Sequence, residues 1–174
     1  MPSGTPKSPS CRESLNGDPG GARGRLAGGR GLLAELGRPD VRGRDDEHEH
    51  RAGFVSYLGK PDAVALVAVD GGTVVGFIDL EFRTRLNFLT PQAWVPDLIV
   101  TSSARSRGAG RALLAAAEER ARERGCFALS LESATWRERA HAFYEREGMT
   151  HTSASFAKLL GGMEDWPPQA REEG

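Results

Sequence analysis

A glycine-containing stretch between an apolar strand and an amphipathic helix constrains this chain more than any other segment. It runs from Val100 to Leu114, and Gly108 and Gly110 stand where the helix begins. Because neither glycine carries a Cβ, the backbone can approach a ligand closely, and the free N–H groups and dipole of the helix point into the loop. Positive charge comes from Arg105, Arg107 and Arg111. The pattern predicts a backbone site for a pyrophosphate, with a tight turn that binds nothing as the alternative.

Two other phosphate-binding loops do not fit this stretch. A P-loop requires Gly, four residues and then Gly-Lys-Ser/Thr, and there is no lysine here. The dinucleotide fingerprint requires a third glycine three residues after the second, where this chain has Leu113. The sequence on either side of the loop is therefore needed to identify what the loop binds.

The segments around the loop predict alternating strands and helices after Pro61. Val64–Val69 and Thr73–Phe82 form a hairpin through a turn at Asp70-Gly71-Gly72. A third strand, Ala93–Val100, contains Pro96, which marks a bulge. The later elements are a helix Gly108–Arg124, a strand Cys126–Glu132, a helix Arg137–Glu147 and an extended segment over residues 149–160. This order predicts one α/β domain with a mixed central sheet flanked by helices.

Composition predicts the limits of the folded domain. Residues 1–24 are rich in Gly, Pro, Ser and Arg, and such a segment buries too little apolar surface to offset its ordering entropy. We therefore expect residues 1–24 to be disordered, and whether a first strand is present stays open. The domain is predicted to span residues 25–161, and residues 162–174 form a flexible acidic tail.

Charge and composition narrow the classes of function. The formal net charge is −1, so the molecule has no basic field that would gather nucleic acid. No apolar run approaches the roughly 20 residues that a membrane span needs, and the N-terminus lacks the apolar core of a signal peptide. The two cysteines give neither a disulfide framework nor a metal-ligand spacing. We expect a cytoplasmic protein that binds no metal, nucleic acid or membrane. Whether it forms a homodimer stays open.

Together with its neighbours, the loop resembles the pyrophosphate loop of the GNAT N-acetyltransferases, Arg/Gln-x-x-Gly-x-Gly/Ala. Asp97–Val100 resembles their fourth strand, and Ala140–Met149 resembles their late helix, Ala-x-x-Phe/Leu-Tyr-x-x-x-Gly-Phe. The resemblance spans residues 62–160 and implies a GNAT-type fold with acetyl-CoA as co-substrate. It implies transfer of the acetyl group to a primary amine by direct attack in a ternary complex. Arg137, Phe143-Tyr144 and Phe156-x-Lys158 are most similar to small-molecule acetyltransferases such as the aminoalkylphosphonate enzymes.

The resemblance also implies which residues bind acetyl-CoA. The third strand pairs with the pantetheine arm like an added strand, and the loop holds the pyrophosphate through its N–H groups. The thioester then lies between the third strand and Cys126–Glu132. The expected cofactor-binding residues are Leu98, Ile99, Val100, Arg105, Ser106, Arg107, Gly108, Ala109, Gly110, Arg111 and Arg137.

The expected catalytic residues are an acid on the late helix and a carboxylate base. Tyr144 takes the family position that faces the sulfur of CoA, so its hydroxyl can protonate the leaving thiolate. Asp97 is the carboxylate nearest to the expected thioester, with Glu132 and Glu81 as further candidates. Many members carry a glutamate where this chain has Trp94. Two alternatives stay open: a protein or peptide N-acetyltransferase, and a non-catalytic regulator that binds acetyl-CoA.

Overall fold

Six strands form one mixed sheet in the computed structural model, which describes residues 10–13, 52–53, 56–57, 59–158 and 160. The strands are β1 (Ser10–Glu13), β2 (Ala63–Asp70), β3 (Thr73–Arg83), β4 (Gln92–Val95), β5 (Leu98–Val100) and β6 (Leu129–Leu131). Their order is β1-β2-β3-β4-β6, with β5 paired to β3 beside β4. All pairs are antiparallel except β4–β6, which is parallel. The predicted α/β class with a mixed sheet is confirmed.

The β2–β3 hairpin is the organising unit of the sheet. Gly71 and Gly72 turn the chain with φ values of 55° and 86°, which side chains with a Cβ rarely adopt. One edge of β3 pairs with β2, and the other edge holds β5 at Gly76–Ile78 and β4 at Glu81–Arg83. The hairpin and its turn are confirmed as predicted.

Two helices follow the sheet strands, α1 (Ala109–Glu123) and α2 (Glu138–Arg146). The predicted apolar stripe of α1 is confirmed, because Leu113, Ala117 and Ala121 are buried against the sheet. The strand predicted at 126–132 is shorter than expected. Cys126 instead donates its N–H to the Ala121 carbonyl oxygen at 2.9 Å, and Gly125 before it is left-handed, so Cys126 closes the end of α1.

Three further expectations need correction. Ser10–Glu13 lies in the segment predicted to be disordered, yet its backbone pairs with Leu66–Val69 of β2, a partner that composition does not reveal. The third strand is two strands, because the chain leaves the ladder at Pro96 and Asp97. The extended segment after α2 has no strand among its described residues, and Phe156 is 94% exposed.

The described core has two sides that differ in their partners. On the α1 side, Ile78, Leu80 and Phe82 of β3 pack with the helix stripe. On the other side, Phe77 packs with Ala65, Val67 and Ile99. The alternation along β3 follows from the two-residue period of a strand, and it decides which side each polar residue of β3 faces.

The expected domain limits at residues 25 and 161 and the 162–174 tail lie outside the described residues. So does most of the segment before β2. Within the part that the structure describes, no helix has the length and apolarity to cross a bilayer.

Candidate active site

The candidate site begins where the sheet loses its continuity between β4 and β5. Pro96 follows the last residue of β4, and because it has no N–H group it cannot donate to a sheet ladder. β4 and β6 pair only as far as Val95 and Leu131, and β5 pairs with β3 alone. Over the described residues, β5 and β6 therefore separate and leave a cleft between them.

One edge of this cleft is the free backbone of β5. The Asp97 carbonyl oxygen and the Thr101 N–H group both bond to β3, at 3.2 Å and 2.9 Å. Because hydrogen-bonding groups alternate along a strand, Ile99 also directs its backbone to β3. Leu98 and Val100 consequently direct their N–H and carbonyl groups to the cleft. Of the three residues expected to pair with the pantetheine arm, two are oriented for it and Ile99 is not.

The cleft brings together residues that are far apart in the chain. Its lining contains five of the expected site residues: Asp97, Leu98, Glu132, Arg137 and Tyr144. It also contains Ser133, whose buried hydroxyl has no hydrogen-bond partner within the described structure. Buried polar atoms are almost always hydrogen-bonded in native proteins, so this hydroxyl indicates a place for a ligand atom.

Tyr144 is held beside the cleft by contacts between the two helices. Phe143 lies so close to α1 that a Cβ on Gly110 would stand 3.3 Å from its ring, which explains the second glycine of the loop. Arg111 and Glu147 add an ion pair at 3.0 Å. Burial raises the pKa of Tyr144, against a smaller lowering by Arg137. Its hydroxyl therefore stays protonated at neutral pH.

The glycine loop has the backbone geometry of an anion site. Ser106 and Gly108 both have positive φ, 63° and 88°, and α1 starts directly after Gly108 without a side-chain cap. A turn that includes left-handed residues can gather successive N–H groups into a concave surface that binds anions. No acidic residue lies in the first turn of α1. The first N–H groups of α1 thus remain available to a phosphate.

The three arginines around the loop have different surroundings. Arg107 pairs with Asp70 at 2.9 Å and Arg111 with Glu147, so both also serve to fix the loop and α2. Arg105 has no ion pair among the residues that the structure describes. Of these side chains, Arg105 is therefore the one whose charge is left for a ligand.

Asp79 is a functional candidate that sequence reasoning missed. It is 5% exposed, and it is the buried charged residue of the described core. Its Oδ1 accepts a hydrogen bond from the Asp97 N–H at 2.8 Å, which ties it to the break in the sheet. Burial, and secondarily the nearby Asp97, raise the pKa of Asp79 to about 7. The available signal was a lone carboxylate within the apolar run of a central strand.

Comparison with known proteins gives a consistent result. A model of the Acetyltransferase (GNAT) family matches residues 32–149. The aminoalkylphosphonate N-acetyltransferase of Salmonella typhimurium is 34% identical over 129 residues, which cover 74% of this chain and 81% of that protein. The structure of a transcriptional regulator from Bacillus halodurans superposes with a TM-score of 0.74 at 26% identity, over 87% of this chain and 99% of the other.

A more distant structure has the same fold. Glucosamine-6-phosphate N-acetyltransferase from Arabidopsis thaliana superposes with a TM-score of 0.72 at 18% identity, covering 89% of this chain and all of the other, 100%. At that identity the likeness concerns the fold alone.

Proposed function

This chain belongs to the GNAT acetyltransferase family, and on that basis we propose that it acetylates the primary amine of a small molecule by direct attack in a ternary complex. The family establishes the coarser activity, an N-acetyltransferase that uses acetyl-CoA. The observation that carries the finer proposal is the cleft between β5 and β6, with Tyr144 beside it.

The residues around the cleft fit acetyl-CoA. The space that a Cβ on Gly108 would occupy has no protein atom within 4 Å, so the loop backbone is open to a phosphate group. The free backbone edge of Leu98 and Val100 fits an amide-bearing arm, and the orphaned Ser133 hydroxyl fits a polar atom of the same ligand. The pyrophosphate is assigned to the 105–110 loop, with Arg105 as its charged partner.

Acetyl-CoA supplies the acetyl group as an activated thioester. In the proposed mechanism the loop and β5 hold it in one orientation, which converts the reaction with the amine into an intracomplex step. Tyr144 donates its hydroxyl proton to the sulfur as the carbon–sulfur bond breaks. A carboxylate at the break of the sheet accepts a proton from the incoming ammonium, since only the neutral amine has a lone pair for attack.

A small-molecule acceptor is supported by the most informative relative, because the Salmonella protein is named for an aminoalkylphosphonate. The β3–β4 loop carries three exposed apolar side chains that would suit a larger partner, Leu86, Phe88 and Leu89. A protein or peptide substrate is therefore the second candidate.

The test is an acceptor screen with purified full-length protein. Acetyl-CoA is mixed with aminoalkylphosphonates, amino sugars, polyamines and peptides that carry free amines, and both free CoA and the acetylated product are measured. We expect higher kcat/KM for small amines than for peptides, and intersecting initial-rate plots, which indicate a ternary complex. Parallel plots would indicate a covalent acetyl-enzyme instead.

Tyr144→Phe serves as the matched control, because it retains the ring and loses the proton donor. Binding of acetyl-CoA without turnover on any amine would contradict the proposal and favour a regulator.

A further inference from the structure

The position of Asp79 connects it to the proposed reaction centre. Two hydrogen bonds join Asp79 and Asp97: the Asp79 N–H donates to the Asp97 carbonyl oxygen at 3.2 Å, and the Asp97 N–H donates to Oδ1 of Asp79 at 2.8 Å. Asp97 and Leu98 line the cleft opposite β6. The Asp79 carboxyl group therefore lies directly behind the break through which β4 and β5 separate.

Asp79 approaches this break from the side of the sheet opposite α1. Its neighbours Ile78 and Leu80 point to the α1 core, and Phe77 belongs to the cluster on the other side. Because side chains alternate along a strand, Asp79 shares the side of Phe77. Tyr144 comes with α2, which contacts α1 through Phe143. Because Tyr144 lines the cleft and Asp79 lies behind it, an acid and a base can both act where the amine and the thioester meet at the break.

Two buried polar groups lie on the same side as Asp79. The register places Trp94 opposite Glu81, two residues along β3 from Asp79. The indole Nε1 of Trp94 is buried and makes no hydrogen bond to any residue that the structure describes. The Tyr57 hydroxyl adjoins the Asp79 carboxyl group, and burial together with that carboxylate raises the pKa of Tyr57. An indole N–H left without a partner near a buried carboxylate indicates a place for a polar ligand.

Glu81 and Glu132, two of the other candidate carboxylates, are less suited to the role of base. Glu81 is engaged by Arg83 at 3.2 Å and by Lys60 at 3.8 Å, so its charge is already compensated. Glu132 is exposed to solvent at the mouth of the cleft. Asp79, in contrast, has a pKa of about 7, and a general base is most effective when its pKa is near the working pH.

We propose that Asp79 binds the ammonium group of the acceptor at the break between β4 and β5 and removes its proton. This inference rests on the proposed function, and it assigns the acceptor to the class of strongly basic primary amines. The proton balance is complete. The ammonium loses one proton to Asp79, and its nitrogen then forms the carbon–nitrogen bond as the carbon–sulfur bond breaks. The second nitrogen proton replaces the one that Tyr144 gives to the sulfur, and Asp79 later releases its proton to water.

The first experiment uses the wild-type protein and the most active strongly basic amine from the acceptor screen. The charged groups facing Asp79 are Asp97 from the break, Tyr57 from the segment before β2 and Glu81 from its own strand. If Asp79 is the base, kcat/KM rises with pH and levels off near pH 7. A rise that continues up to the pKa of the amine itself would overturn the proposal, because the enzyme would then only select amine that is already neutral.

The second experiment compares Asp79→Asn with Glu81→Gln as a matched control. Asparagine retains the acceptor for the Asp97 N–H, so the break in the sheet is preserved. We expect Asp79→Asn to lower kcat/KM for the strongly basic amine by about 10²- to 10⁴-fold and to abolish the plateau near pH 7. The affinity for acetyl-CoA should be unchanged, and Glu81→Gln should stay within a few-fold of wild type.

A weakly basic acceptor separates proton removal from a structural role. Methoxyamine is largely neutral at pH 7, so its acetylation should lose much less in Asp79→Asn than that of the strongly basic amine. Equal losses for both amines would overturn the proposal and make Asp79 a structural residue. If the wild type turns over no amine at all, the proposed function itself fails. If it turns over amines without the plateau, only the assignment of Asp79 fails.

Discussion

Burial acts in the same direction on Tyr144 and Asp79 but with different chemical consequences. It raises the pKa of both groups because the neutral form is favoured away from water. For the tyrosine this keeps the proton on the hydroxyl, which is the state that an acid needs. For the aspartate, whose carboxyl group is ordinarily ionised, burial raises the pKa to about 7, so the group can both accept and release a proton near neutral pH.

Tyr144→Phe should lower kcat by about 10²- to 10⁴-fold, the usual contribution of positioned acid catalysis. The ring and its packing against Phe143 remain, so the affinity for acetyl-CoA should be nearly unchanged. The measurement is kcat with one saturating amine. The loss should shrink with a thioester of a more acidic thiol, which needs less help to leave. A change below about threefold would reduce Tyr144 to a packing residue.

Asp79 should also make stability depend on pH. Its pKa is about 7 in the fold against 3.8 for an aspartate exposed to water, so between these values the folded state binds more protons than the unfolded one. Its contribution therefore decreases as pH rises from about 4 to 7, by at most about 4 kcal/mol. Asp79→Asn removes this penalty. Urea denaturation should give similar stabilities for both proteins below pH 4 and a more stable variant at pH 8; a difference that does not change with pH would contradict the assignment.

At the scale of elements, sequence patterns predicted the turns and helix ends, which depend on interactions between residues close in the chain. The hairpin follows from Gly71 and Gly72, and both helices end at left-handed glycines, Gly125 and Gly148, as the sequence indicated. Strand limits were less accurate because a strand exists only where a partner pairs with it. β6 is three residues long since its parallel partner β4 ends at Val95. β1 was missed because its pairing with β2 is non-local.

The candidate site divides in the same way. Motifs identified residues of the loop, β5 and α2, and the cleft gathers five of the expected site residues: Asp97, Leu98, Glu132, Arg137 and Tyr144. Asp79 was missed because its role depends on which side of β3 it faces and on a hydrogen bond to Asp97, 18 positions away. Neither the side nor the bond follows from local spacing.

The loop should lose affinity for acetyl-CoA when Arg105 is replaced. Arg107 and Arg111 are held by Asp70 and Glu147, whereas Arg105 is left for the ligand, so Arg105→Ala should weaken binding roughly tenfold. Calorimetry measures this, with Arg122→Ala at the far end of α1 as the control. Acetyl-pantetheine lacks the pyrophosphate and should react equally well with both proteins. If Arg105→Ala lost as much activity with acetyl-pantetheine as with acetyl-CoA, Arg105 would not be a partner of the pyrophosphate.

The edge strand β1 should contribute to stability although its composition does not suggest it. Its four residues pair with β2 and cover that edge of the sheet. Deletion of residues 1–24 should therefore lower Tm by about 5 °C or more, whereas deletion of residues 1–9 leaves β1 in place and should change Tm little. Differential scanning calorimetry compares the two truncations. Equal melting temperatures would mean that Ser10–Glu13 does not contribute to stability.

At the scale of the whole molecule, the sheet separates two packed sides, and its ladder is interrupted between β4 and β5. α1 packs on one side, and Asp79, Tyr57 and Trp94 lie on the other. At the break between β4 and β5, Asp97 lines the cleft and hydrogen-bonds to Asp79 behind it. In the proposed reaction, the thioester in the cleft and the amine at Asp79 meet at this break and are bound at the same time.

The free edge of β5 has a consequence for exchange of backbone amide hydrogens with solvent. Ile99 directs its N–H to β3 and should exchange slowly in deuterated water, whereas the amides of Leu98 and Val100 face the open cleft and should exchange fast. When acetyl-CoA is added, these two should slow by an order of magnitude or more, and Ile99 should change little. Such an alternating footprint, read residue by residue, would mean that the co-substrate temporarily becomes a strand of the protein.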